Sequence, residues 1–220
     1  APAVVLLHRA GGSGLDWTAV CQRLASHEIP LRTVAIDLPG HGRSPESAAP
    51  LASLADRAVL VREVLDALGI ENAIVAGHSM GGGIALELAR VEPRRVRSLV
   101  LVACALDLRI SRAIRALLHD RFALAARTIA RASVSPRSAA AAALDSLAAS
   151  FWHASPAIVR QDFDACDAFD FTNHAHALRG PAFIVAGADD ALIPTERCRR
   201  LAGAIPGGEL DIVADAGHLV

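Results

Sequence analysis

Gly77-His78-Ser79-Met80-Gly81 follows an apolar, partly β-branched run, Ala73-Ile74-Val75-Ala76, and precedes a stretch of helical character from Ile84 to Arg90. A serine placed where a strand turns directly into a helix is held in a strained backbone. Its Oγ then stands clear at the carboxyl edge of a sheet, and glycines two residues to either side let neighbouring elements approach. Ser79 is therefore the candidate nucleophile. Taken alone, the same letters also suit a glycine-rich turn whose small residues, Gly81-Gly82-Gly83, allow close helix packing.

Outward from this turn, short apolar runs alternate with amphipathic ones. Ala3 to Leu7 precedes Leu15 to Ala25, Arg32 to Ile36 precedes Ser53 to Leu68, and Ser98 to Ala103 follows the Met80 to Arg90 helix. This alternation predicts β-α-β units and an α/β fold, with a mostly parallel sheet covered by helices on both faces. In the second helix Leu54, Ala58, Val61, Leu65 and Leu68 recur at spacings of four and three. Ser53 and Asp56 fit a capping pair, and Gly69 fits the C-terminal stop.

From Asp107 to Ala177 strand character disappears. Ile110, Ile114, Leu117 and Leu118 suit one helix and Phe122 to Ala132 another. Ser135-Pro136 and Ser155-Pro156 each fit an N-cap followed by proline at the first helical position. Ser138 to Ala149 is alanine-rich enough to be helical by propensity. A sheet core over 1–106 and 178–220, interrupted by a helical cap over 107–177, is the expected organisation. Ala182 to Ala186 and Leu210 to Val213 supply later strands, with a helix from Thr195 to Ala204 between them.

The 220 residues are 53% hydrophobic and 20% charged, which suits one well-buried globular unit. A net charge of -1 offers no clustered basic surface, so a nucleic-acid partner is not expected. The chain contains neither lysine nor tyrosine. Schiff-base, pyridoxal-phosphate and phosphate-loop lysine chemistry are thereby excluded. Cys21, Cys104, Cys166 and Cys198 form no Cys-x-x-Cys pair, and they are expected as buried free thiols. No stretch has 18 consecutive apolar residues, and the start lacks signal-peptide character, so a soluble, cytoplasmic protein without a membrane partner is expected.

A serine hydroxyl needs a base within reach and a carboxylate to fix the tautomer of that base. Asp190, in Gly187-Ala188-Asp189-Asp190, and His218, in Asp215-Ala216-Gly217-His218, each lie just past a predicted strand. The carboxyl ends of parallel strands gather at one edge, where sites of open α/β sheets form. Asp189 and Asp107 are the competing carboxylates.

With these residues in hand, the chain resembles the α/β-hydrolase fold superfamily. The elbow Gly-His-Ser-Met-Gly, the order Ser, Asp, His, and the loop Asp37-Leu38-Pro39-Gly40-His41-Gly42-Arg43-Ser44 carry the likeness, which covers nearly all of the chain except the helical insertion. The resemblance selects Asp190, three residues after a glycine, over Asp189. It implies a serine hydrolase working without cofactor or metal on a small ester, thioester or lactone. Carbon-carbon bond hydrolysis, perhydrolysis and a non-catalytic binding role are the alternatives within the fold. It further implies an oxyanion hole made by the backbone N–H groups of Met80 and of Ala10, in the loop His8-Arg9-Ala10-Gly11-Gly12.

Glycine is usual in such proteins where Arg9 stands. The substitution calls the loop geometry into question, because arginine tolerates positive φ poorly. The favoured expectation is an Arg9 side chain turned to solvent; the alternative is a guanidinium that meets a substrate carboxylate. Trp152 is a candidate substrate contact, and Trp17, Phe151 and Phe163 are further aromatic candidates for a pocket wall. His8 and His41 fit structural roles in loops, His78 fills a variable elbow position, and His174 with His176 suits a polar surface pair better than a metal site.

Such proteins also carry two strands ahead of Ala3–Leu7 and a helix after the histidine, whereas only Leu219 and Val220 follow His218. Truncation is thus the expectation; if the chain is complete, Arg32–Ile36 becomes a sheet edge, and a short chain without the final helix holds His218 loosely. Neither the substrate nor the oligomeric state is legible.

Overall fold

The computed structural model describes residues 2–26, 28–138 and 153–220. Six parallel strands form one sheet: β1 (Ala3–Leu7), β2 (Arg32–Ile36), β3 (Ala73–His78), β4 (Val96–Val102), β5 (Ala182–Gly187) and β6 (Gly208–Val213), in the order β2-β1-β3-β4-β5-β6. The helices are α1 (Thr18–Ala25), α2 (Leu54–Ala67), α3 (Met80–Val91), α4 (Arg112–Asp120), α5 (Phe122–Ala132), α6 (Pro156–Ala168) and α7 (Thr195–Ala204). The α/β fold anticipated from the alternating runs is the one formed.

Side-chain alternation along the strands divides the interior in two. Val5, Leu7, Val75, Leu99, Leu101 and Ile184 face the larger core, shared with α2, α3 and α7. Val4, Leu6 and Ala76 face the opposite side, where Trp17, Cys21 and Leu24 pack. Helices on both faces explain why β1 is apolar at every position, since neither side meets water. Each fully buried aliphatic side chain contributes about 1.5–3 kcal/mol of transfer free energy. The strand Arg32–Ile36 is the edge beyond β1, and its burial is correspondingly partial.

The second helix follows its sequence signals closely. Ser53 Oγ accepts the Asp56 N–H (3.1 Å), and Asp56 Oδ2 accepts the Ser53 N–H (2.8 Å). Gly69 ends the helix at φ +62°. Leu68, counted among the apolar stripe, instead lies at the C-cap and is 38% exposed.

Other boundaries shift for local reasons. The run from Leu15 begins with a 3₁₀ turn over Gly14–Trp17, capped by the Ser13 side chain, before α1 starts. Ser111 caps α4, which leaves Ile110 outside the helix that its spacing suggested. Ser155 and Pro156 open α6 as expected, with Ser155 Oγ accepting the Ile158 N–H. Ser135-Pro136 lies in a turn, where Ser135 Oγ accepts the Arg137 N–H and donates to Asp189 (2.6 Å). Trp152, Phe151 and all but the first residue of the Ser138–Ala149 run lie outside the described residues.

Candidate active site

β3 passes into α3 at Ser79, whose φ of 53° and ψ of -111° place it among the few non-glycine residues with positive φ. Such a conformation costs on the order of 1–3 kcal/mol and needs surrounding bonds to hold it. Ser79 N–H donates to Val102 O (2.8 Å), and Ser79 O accepts the N–H of Gly82 (2.9 Å). Glycine is required on both sides by space. A Cβ at Gly77 would stand 2.2 Å from Gly81 O, and one at Gly81 would stand 2.2 Å from Leu7 O.

The loops after β5 and β6 bring Asp190 and His218 together. Asp190 Oδ2 accepts the His218 Nδ1–H at 2.8 Å, while Oδ1 takes the N–H groups of Leu192 and Ile193, both at 2.8 Å. Both residues are buried. With Nδ1 donating to the carboxylate, Nε2 keeps a lone pair able to accept a proton. The two competing carboxylates are engaged elsewhere. Asp189 binds Ser135 and Arg137, and Asp107 binds Arg197 Nη2 at 2.7 Å.

His218 is fixed at several atoms, contrary to the expectation of a loosely held residue. Its carbonyl accepts the His78 Nε2–H (2.9 Å), and the next residue, Leu219, donates its N–H to Ser133 O (3.0 Å). His78 therefore does more than fill a variable position. Burial, followed by the proximity of His218, holds its pKa well below the usual imidazole value.

Ser79 and His218 line one cavity of about 30 Å³ together with Arg9 and Ala10. Leu192 and Ile193 come from the loop after β5, and Leu108, Ile110, Ile129, Phe163 and Cys166 come from the segment between β4 and β5. Phe163 was among the aromatic candidates; Trp17 instead packs in the smaller core. The aliphatic lining was missed, because Ile110 and Ile129 look like ordinary core residues of their helices. Cys166 is a buried free thiol, as are Cys104 and Cys198, and Cys21 is only half-buried. Burial pushes the Cys166 thiol far up, so it lines the wall as a neutral group.

Arg9 does not turn to solvent. It is 5% exposed, its Nη1 donates to Ala10 O (3.2 Å), and its Nε lies 3.4 Å from Asp16 Oδ2. Burial lowers its pKa and Asp16 partly offsets this. Positive φ falls two residues later, at Gly11 (φ 65°), so arginine at position 9 carries no strain of the kind anticipated.

The histidines near this loop are structural and differently charged. His8 Nδ1–H donates to Arg9 O (2.7 Å), and Nε2 accepts the Leu38 N–H (3.1 Å), a pair of bonds only a neutral ring can make. Burial, aided by nearby His41, lowers its pKa to about 4. His41 is shifted the other way. Burial works against its charge, but the bond from Nε2 to Asp162 Oδ2 (2.8 Å) prevails and raises its pKa.

A family model for the alpha/beta hydrolase fold matches residues 2–220. The chain belongs to this family of hydrolases. The "Putative carbamate hydrolase RutD" of Escherichia coli O103:H2 is 31% identical over 231 residues, spanning 99% of this chain and 85% of that protein. Among solved structures, Est816, described as an N-acyl homoserine lactone degrading enzyme, superposes with a TM-score of 0.87 at 28% identity, covering 100% of this chain and 87% of its own. The enol-lactonase from Burkholderia xenovorans LB400 shares the fold, with a TM-score of 0.86 at 24% identity over 100% of this chain and 85% of that one. No helix among the described residues is long and apolar enough to cross a membrane.

Proposed function

We propose that this hydrolase is a serine enzyme that cleaves a small carboxylic ester, thioester or lactone through an acyl-enzyme, with no cofactor. The observation that carries the reading is the His218–Asp190 bond at 2.8 Å, with the imidazole in the same cavity as Ser79. Ser79 Oγ attacks the carbonyl carbon as His218 Nε2 takes its proton. Asp190 keeps the ring in the required tautomer and stabilises the imidazolium. The N–H groups of Met80 and Ala10 receive the charge that develops on the carbonyl oxygen, each worth roughly 3 kcal/mol in the transition state. Collapse expels the alkoxide or thiolate, which takes the proton from His218. Water, deprotonated by the same nitrogen, then releases the acid and restores Ser79.

The residues over 107–177 serve on this reading as a cap, closing the cavity with the side chains of Leu108, Ile110, Ile129 and Phe163. Trp152 remains part of the proposal as a further substrate contact. The aliphatic lining favours an apolar acyl group. Likeness to proteins named as carbamate hydrolases adds a carbamate to the substrates to be tried.

The test is reaction with a fluorophosphonate followed by intact-mass and peptide analysis. One adduct is expected, on Ser79, with none on Ser79→Ala, and hydrolysis of a short ester should fall at least about a thousandfold in that variant. Folded wild-type protein that takes up no label would instead be a binding protein built on this fold.

A further inference from the structure

A buried carboxylate of the cap segment reaches the loop that carries Ala10. Asp162, on α6, is completely buried. Its Oδ2 accepts the N–H of Gly11 (2.9 Å) and the His41 Nε2–H (2.8 Å), and its Oδ1 accepts Arg57 Nη2 (3.0 Å). A carboxylate without solvent must be matched by donors, and here one of them is the backbone of the residue following Ala10.

The other polar group of Gly11 is held from the same side. Gly11 O accepts the His153 N–H (2.9 Å), His153 O accepts the Gly42 N–H (3.0 Å), and Ala154 bridges to His41. Both backbone groups of Gly11 are thus bonded to residues of the 107–177 segment. The peptide joining Ala10 to Gly11 is clamped at both ends: its carbonyl takes Arg9 Nη1, and its N–H is held by Asp162. The Ala10 N–H itself lies in the preceding peptide, whose carbonyl, Arg9 O, accepts the His8 Nδ1–H (2.7 Å) and the Gly12 N–H (3.1 Å), so the clamp on the following peptide acts on that N–H through the Ala10 Cα.

We propose that Asp162 is a positioning residue: through the Gly11 N–H it fixes the direction of the Ala10 N–H, so that docking of α6 completes the oxyanion hole. The inference rests on the hydrolase reading above, with Ala10 as an oxyanion donor. Asp162 touches neither substrate nor Ser79 in this role. Displacing the donor by even about an ångström costs on the order of a hundredfold in rate, so a bond one residue away is decisive.

A carboxylate that merely pins α6 to the core would affect stability alone, and the experiment separates the two. A carbonyl oxyanion and its larger, weakly accepting thiono counterpart respond differently to oxyanion-hole donors. The ratio of kcat/KM for 4-nitrophenyl acetate to that for its thiono analogue therefore reports the hole and does not depend on the fraction of protein folded. Asp162→Asn, which keeps the side-chain volume, should lower kcat for the oxygen ester by about tenfold or more, leave KM within about twofold, and shrink the ratio by about fivefold or more. Arg57→Gln removes an ion-pair partner of Asp162 that does not touch Gly11. It should lower thermal stability and leave the ratio unchanged.

An unchanged ratio in Asp162→Asn, or an equal change in both variants, overturns the proposal. Wild-type protein that fails to label at Ser79 refutes the underlying hydrolase reading and this inference with it. Labelling at Ser79 with an unaltered ratio refutes only the role of Asp162.

Discussion

Arg9 brings a guanidinium to the cavity that Ser79 and His218 also line. Arg9 has Asp16 at 3.4 Å and Ala10 O at 3.2 Å, yet it still lines an otherwise apolar wall with Ser79 and His218. A substrate carboxylate there would gain charge-assisted bonds of about 1.5–3 kcal/mol. Arg9→Gln should accordingly lower kcat/KM for an ester bearing a terminal carboxylate by about 10- to 100-fold relative to a neutral ester of the same length. Equal losses on the two substrates, measured side by side, would assign Arg9 to the loop alone. Local sequence marked position 9 as unusual but not its direction, because that depends on Asp16 and on the wall opposite. The candidates Ser79, Asp190 and His218 carry a plainer mark, since each lies within five residues of the end of a strand that its own pattern announces. Asp162 had a fainter mark: it stands four residues from both Ile158 and Cys166, a carboxylate on the buried face of its helix. Its partners Arg57 and Gly11 are 105 and 151 residues away, beyond any local pattern.

Among the elements, α2 shows how far capping and periodicity carry. Ser53 and Asp56 satisfy each other's backbone N–H groups, and Leu54, Ala58, Val61 and Leu65 bury one face. Ser53→Ala leaves the Asp56 N–H without its acceptor and should destabilise the protein by about 1 kcal/mol, read as a lower urea midpoint at constant slope. No change in midpoint would mean that water replaces the cap at no cost. α3 is the contrasting case. It is buried along most of its length between the sheet and α2, so its apolar character announces burial but not which neighbour touches which side. The helices between β4 and β5 were predicted as a group, yet Ile110 proved to be wall and not helix. The wall of the cavity depends on how α4 to α6 settle over the sheet, and no periodicity within a helix encodes that.

Across the whole molecule, buried imidazoles make stability depend on acidity. His8 is held neutral in the folded state, with its pKa lowered from 6.5 to about 4, so between these values the unfolded chain binds a proton that the native one refuses. Stability is therefore complete above about pH 6.5 and declines as pH falls towards 4, by roughly 3 kcal/mol for His8 alone. His78, shifted in the same direction, steepens the decline. His41, shifted upward, contributes fully throughout this window and adds no slope there. Urea unfolding at pH 7 and at pH 4.5 should show the loss, and an unfolding free energy that stays level between them would contradict it.

The three residues of the candidate triad come from loops that follow β3, β5 and β6, and the ring of His78 meets the carbonyl of His218 across 140 positions of chain. The serine turn draws on β3, α3 and Val102 of β4, but on the proposed reading its proton acceptor arrives only when the far side of the sheet has docked. A half-built molecule therefore carries an inert alcohol. Its first catalytic turnover would serve as a clock, marking the moment at which the most distant pairings of the chain are complete.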